Sequence, residues 1–161
     1  MATENAPTII NKKQLFMDWV LLTFLKSAWA PVAILFYYWI ATGLGLFRWF
    51  PSLDNPSHVV GGILITYFFR SAIVNSQKLI GNIPRPVQIL FAFTCAGTTT
   101  ILWEFYENIL DMVFNMHVAR SLRDTLGDLF FGLLGAFILS IFYSIRSIKR
   151  VKINPDSLSP N

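Results

Sequence analysis

The stretch WEFYENILD, residues 103–111, sets three carboxylates, Glu104, Glu107 and Asp111, into a run of aromatic and aliphatic residues. Spacings of three and four put them on one face if the segment is helical. Two further pairs repeat the i, i+4 spacing: Asp54 with His58, and Asp124 with Asp128. Crowded carboxylates repel one another, so such a group holds a cation, shares protons or pairs with arginine. His58 adds a general base or an imidazole ligand. Oxygen-rich ligation with one imidazole suits Mg, Mn or Fe better than Zn. The candidate catalytic or metal-ligating set is therefore His58, Glu104, Glu107 and Asp128. Asp124, Arg120 and Arg123 stand at its rim, where an arginine can anchor a phosphate. No nucleophile motif, phosphate loop or paired-histidine motif defines a reaction.

The elements that carry these residues are apolar. Of the 161 residues 54% are hydrophobic and 14% charged, against about 25% charged in a soluble domain. A membrane span needs about 20 largely apolar residues. Four stretches qualify, at about residues 28–47, 58–75, 87–110 and 125–146. Pro51, Asp54, Asn55 and Pro56 punctuate the first connection, and Gly81, Asn82, Pro84 and Pro86 the second. The expected fold is all-α: a polytopic membrane protein with a four-transmembrane-helix bundle in one domain, residues 15–153.

A short apolar segment with Asp18 and Lys26, residues 15–27, is expected to form an N-terminal interfacial helix or to lead into the first span, with Pro31 as a bend. A signal peptide is the rival, since Lys12 and Lys13 precede it and Ala28-Trp29-Ala30 has a cleavage-site form, but Asp18 and Lys26 interrupt its apolar region. Residues 1–14 are expected as a cytoplasmic tail and 154–161, rich in Ser, Pro and Asn, as a disordered one.

Lys and Arg set the expected orientation. With both termini cytoplasmic, ten of the 13 basic residues lie inside and only Arg48, Arg120 and Arg123 outside. That places the chain in the inner, cytoplasmic membrane as a multi-pass protein, and makes the +4 net charge a topogenic feature. No basic face of a soluble module suggests nucleic-acid binding. Cys95, the one cysteine, has no internal disulfide partner and reads as a packing residue. His117 reads as a solvated loop residue, and residues such as Trp49 and Tyr106 as an interfacial belt.

In this topology six of the nine acidic residues, with His58, gather at the outer ends of three spans. Down the same faces come Gly61 and Gly62, Gly97 and Thr100, and Gly132 and Gly135. Small residues let helices approach closely in lipid, which turns the acids toward one another.

DNPSHVVGGIL, with Asp54 four before His58, and RSLRDTLGDLFFGLLGAF, with Arg120, Asp124, Asp128 and two glycines, resemble the VanZ-like small integral membrane proteins and a related, uncharacterised group of bacterial multi-span proteins. The likeness covers residues 54–137. Gly132 stands where the VanZ-like pattern has Asn or Asp, and Asn55 where it often has Lys, so the glycopeptide-resistance association of that family is not carried over.

Two classes of function follow as expectations. One is an outer-leaflet site, enzymatic or enzyme-like, that binds or processes an amphiphilic envelope-related substrate such as a lipid-linked precursor, with a divalent metal ion as the cofactor to be tested. The other is non-catalytic: a membrane scaffold or assembly protein, or a proton or cation pathway. Membrane lipid is the partner common to both, and the sequence leaves the oligomeric state open.

Overall fold

The computed structural model describes residues 11–116 and 121–153, with side chains described through Ser147. Most of the expected terminal tails, and His117 and Arg120 with them, lie outside the described residues. The chain runs through α1 (Lys12–Ser27), α2 (Trp29–Gly43), the single turn α3 (Leu46–Trp49), a 3-10 turn (Pro51–Leu53), α4 (Asp54–Ile80), α5 (Arg85–Phe114) and α6 (Leu122–Ile153). There is no strand among the described residues.

Three segments are long and apolar enough to cross a membrane, Pro51–Ile80, Arg85–Phe114 and Leu122–Ser147. The pair α1 and α2, bent by 49°, counts as a fourth if it forms one broken span. Pro31 lies one turn beyond the bend and has no N–H to donate to the Ser27 carbonyl, which is why the helix yields there. The apolar run expected over residues 28–47 does not form one helix. It breaks after Gly43, where Gly45 takes the left-handed conformation (φ 67°) and turns the chain into α3. Helices α4, α5 and α6 each outrun the apolar stretch that announced them, because a helix does not end where the hydrocarbon does.

The packing is that of a lipid-solvated protein. Most of the buried residues are small or polar, Ala30, Ala41, Ala92, Ala96, Ala136, Ser27, Thr66 and Ser76 among them, with Leu110 and Tyr38 as larger members. Large side chains such as Phe36, Leu90, Phe105, Phe130 and Phe142 point outward. A soluble domain would do the reverse. With lipid as solvent nothing is gained by burying Leu or Phe, so close backbone approach decides the contacts.

α4 is the centre of the bundle, packed against α1, α2, α5 and α6. Its first half faces α2, where the Tyr37 and Ser57 hydroxyls lie 3.0 Å apart. Its second half faces α1, where Trp19 Nε1 donates to the Ala72 carbonyl at 2.9 Å and Asn75 Nδ2 to Thr23 Oγ1 at 3.2 Å. Gln77 and Gln88 clip the α4–α5 hairpin: Gln77 Oε1 accepts from Ile83 N and Gln88 Nε2, and Gln88 Nε2 also donates to the Ile83 carbonyl.

Gly62 and Gly135 fix the crossing of α4 and α6. A Cβ on Gly62 would overlap the Gly132 carbonyl oxygen, and one on Gly135 the Val59 carbonyl oxygen. On the third side a Cβ on Gly132 would run into the Thr100 side chain of α5. Three helices thus meet at Gly62, Gly132 and Thr100.

Candidate functional site

One helical turn beyond that meeting point each of the three helices carries an ionisable residue: His58 four before Gly62, Asp128 four before Gly132, Glu104 four after Thr100. The glycine contacts therefore set the geometry of the charged groups. His58 Nε2 lies 3.4 Å from Asp128 Oδ1 and 3.6 Å from Asp54 Oδ1, so the imidazole joins α4 to α6. Pro56 sits in the first turn of α4, where its missing N–H costs no helical bond, and lets that helix begin at Asp54. Asp54 and Asp124 occupy the first turns of α4 and α6, where the helix dipole favours a carboxylate.

From α5, Glu104 and Glu107 turn into the same space and are only 5% and 6% exposed; Asp128 is 4% exposed. Glu104 lies little more than one turn from the middle of α5. Trp103 Nε1 donates to Glu107 Oε1 at 3.1 Å, while Glu104 Oε1 is buried without a hydrogen-bond partner among the described residues. One donor atom each from Asp54, His58 and Asp128 lie within 4.8 Å of one another, and so do one each from Glu104, Glu107 and Asp128. Of the expected site residues these are brought together. Asp124 is half-buried on the turn before Asp128, and Asp111 is half-buried farther out on α5. Arg123 is exposed and makes no ion pair with the described residues, and Arg120 lies outside them.

Two aromatic residues belong to the site although their sequence context marked them only as belt residues. The Trp103–Glu107 spacing of i, i+4 was a usable signal for the indole donor. Tyr38 had none: it arrives from α2, packs edge-on against Trp103 with ring centroids 4.5 Å apart, and buries its hydroxyl. That hydroxyl has no hydrogen-bond partner among the described residues.

Beside the charged cluster, α2, α4 and α5 line a half-open cavity of about 240 Å³. Its walls are apolar for most of their extent, from Pro31, Ile34 and Leu35 on α2 and Gly61, Gly62 and Ile65 on α4. Asp54, Ser57 and His58 line one part of it, and Thr99, Thr100 and Trp103 of α5 close the far wall. His58 therefore faces both the acidic cluster and the cavity.

The sequence model of the family described as "Predicted membrane protein (DUF2238)" matches residues 8–149. The chain belongs to that family. No curated protein and no solved structure matches it. The DUF2238 match takes in every helix of the bundle and each of the candidate site residues from Asp54 to Asp128. The assignment makes the chain a membrane protein and gives the cluster no chemistry.

Proposed function

We propose that the protein binds an amphiphilic, phosphate-bearing molecule of the cell envelope at the acidic end of the bundle, with a divalent cation between carboxylates and headgroup. The observation that carries this is the cavity: a largely apolar chamber with the ionisable side chains of Asp54 and His58 in its lining. A ligand with a hydrocarbon portion and a charged head matches that polarity. A phosphate beside Glu104, Glu107 and Asp128 would be repelled without a cation, and the donor set of carboxylates with one imidazole suits Mg or Mn. The ten-to-three distribution of basic residues supports the outer face of the cytoplasmic membrane for this end, with both termini inside.

Native mass spectrometry of the detergent-purified protein tests it, with a polyprenyl phosphate as probe and phosphatidylglycerol as the bulk-lipid comparison. The expected result is a polyprenyl phosphate adduct that survives better than the phosphatidylglycerol one, requires added Mg²⁺, and falls at least tenfold with Gly61→Leu. Equal retention of both lipids, or an adduct indifferent to Mg²⁺ and to Gly61→Leu, contradicts the proposal.

An assembly role is the second reading, since the His58–Asp128 contact also ties α4 to α6. Substitutions there would then lower folded yield without a separate loss of binding. A pathway through the membrane has less support: among the described residues the other half of the bundle offers one acid, the exposed Asp18.

A further inference from the structure

We propose that Asp54, His58, Glu104, Glu107 and Asp128 form a dinuclear divalent-cation centre in which the Asp128 carboxylate is shared between the two ions. The proposal rests on the reading of this end as a cation-bearing site and not on the identity of the amphiphile. Three observations carry it. First, the five donors do not gather into one group. They fall into two sets of three, Asp54 with His58 and Asp128, and Glu104 with Glu107 and Asp128, each within 4.8 Å, and Asp128 is the member common to both. A carboxylate has two oxygens, one for each ion.

Second, Glu104 Oε1 is buried and without a hydrogen-bond partner among the described residues, in a side chain 95% removed from solvent by a relative exposure of 5%. Its carboxylate lies in the Glu104–Glu107–Asp128 group. A buried carboxylate oxygen with no donor is costly, and a cation supplies what the protein does not.

Third, the two groups bring four carboxylates, Asp54, Glu104, Glu107 and Asp128, to one place, and cations relieve the repulsion among them. Each ion would take three protein donors and keep positions for water or a phosphate oxygen. Bundle-core carboxylate sites built from facing helices take this form, and two-metal sites with ions about 3.5–4 Å apart clamp phosphate oxygens from both sides.

Mn²⁺ is the probe, since it accepts oxygen ligands and reports its surroundings by electron paramagnetic resonance. The full-length protein in detergent is stripped with EDTA, reloaded with MnCl₂, desalted and measured for bound manganese per chain, with gel filtration and circular dichroism to follow the fold. The expected result is two Mn²⁺ per chain with a spin-coupled spectrum. His58→Ala and Glu104→Gln each leave one ion with the six-line signal of an isolated Mn²⁺, and Asp128→Asn abolishes the coupling. One ion or none in the folded wild type, two uncoupled ions, or two ions retained in His58→Ala would overturn the dinuclear centre. Two coupled ions with no polyprenyl phosphate adduct would uphold it while removing the proposed ligand; an Mg²⁺-dependent adduct with a single bound ion would do the opposite.

Discussion

His58 Nε2 reaches Asp128 Oδ1 at 3.4 Å because four residues deeper the α4 and α6 backbones touch at Gly62 and Gly132. Contact between helices and contact between ionisable groups are one construction. Whatever loosens the glycine crossing also separates the cluster.

Gly135→Ala separates packing from helix propensity. A Cβ at Gly135 meets the Val59 backbone, which cannot move aside as a side chain could, so the substitution should cost about 1–3 kcal/mol. Gly127→Ala, on the same helix with nothing within 4 Å of its Cβ, should be neutral or stabilise by about 0.5–1 kcal/mol. Thermal unfolding of both variants in one detergent checks the pair. Equal behaviour would mean that α6 does not cross α4 at this point.

Glu104→Gln should leave the fold intact and its unfolding temperature unchanged or raised. The amide keeps the shape and removes one of several crowded carboxylates near Glu107 and Asp128. Cation affinity should fall at least tenfold. A large loss of helicity with the same substitution would assign the carboxylate to folding instead.

Trp103→Phe keeps a ring against Tyr38 and removes the indole N–H that Glu107 accepts at 3.1 Å. The expected loss of stability is about 1–3 kcal/mol, the range for a buried carboxylate deprived of a donor. Unfolding in denaturant measures it, and Trp103→Tyr, with its hydroxyl elsewhere on the ring, should not restore the loss.

Orientation can be read with single cysteines in a Cys95→Ser background. Met116→Cys, in the connection between α5 and α6, should react with an impermeant maleimide added outside intact cells, and Asn82→Cys, between α4 and α5, should react only after lysis. The reverse pattern would put the acidic end in the cytoplasm.

The sequence carried the all-helical architecture because lipid demands long apolar runs and leaves them legible. It carried the cluster for a similar reason: an ionisable residue in such a run stands out, and spacings of three and four give its face. Helix ends were less visible, since α4 continues from His58 back to Asp54 through polar residues that hydropathy excludes, and α5 runs past Leu110 and the charged Asp111 to Phe114. The break after Gly43 was hidden inside an apolar run. Tyr38 and the cavity were not legible at all, as they depend on how α2 lies across α4 and α5, which no local spacing encodes.

Photo-crosslinking tests the central claim most directly: an amphiphile lies in the α2–α4–α5 cavity with its head at His58. The probe is a polyprenyl phosphate with a diazirine near its phosphate, added to the protein in lipid nanodiscs with Mg²⁺ and mapped by peptide mass spectrometry. Crosslinks should concentrate on cavity residues beside His58 such as Asp54, Ser57 and Trp103, and Gly61→Leu should suppress them, since its side chain grows into the cavity from a position with ordinary clearance to Ile34. Crosslinks spread over outward-facing residues such as Phe105 and Phe130, and unchanged by Gly61→Leu, would contradict it.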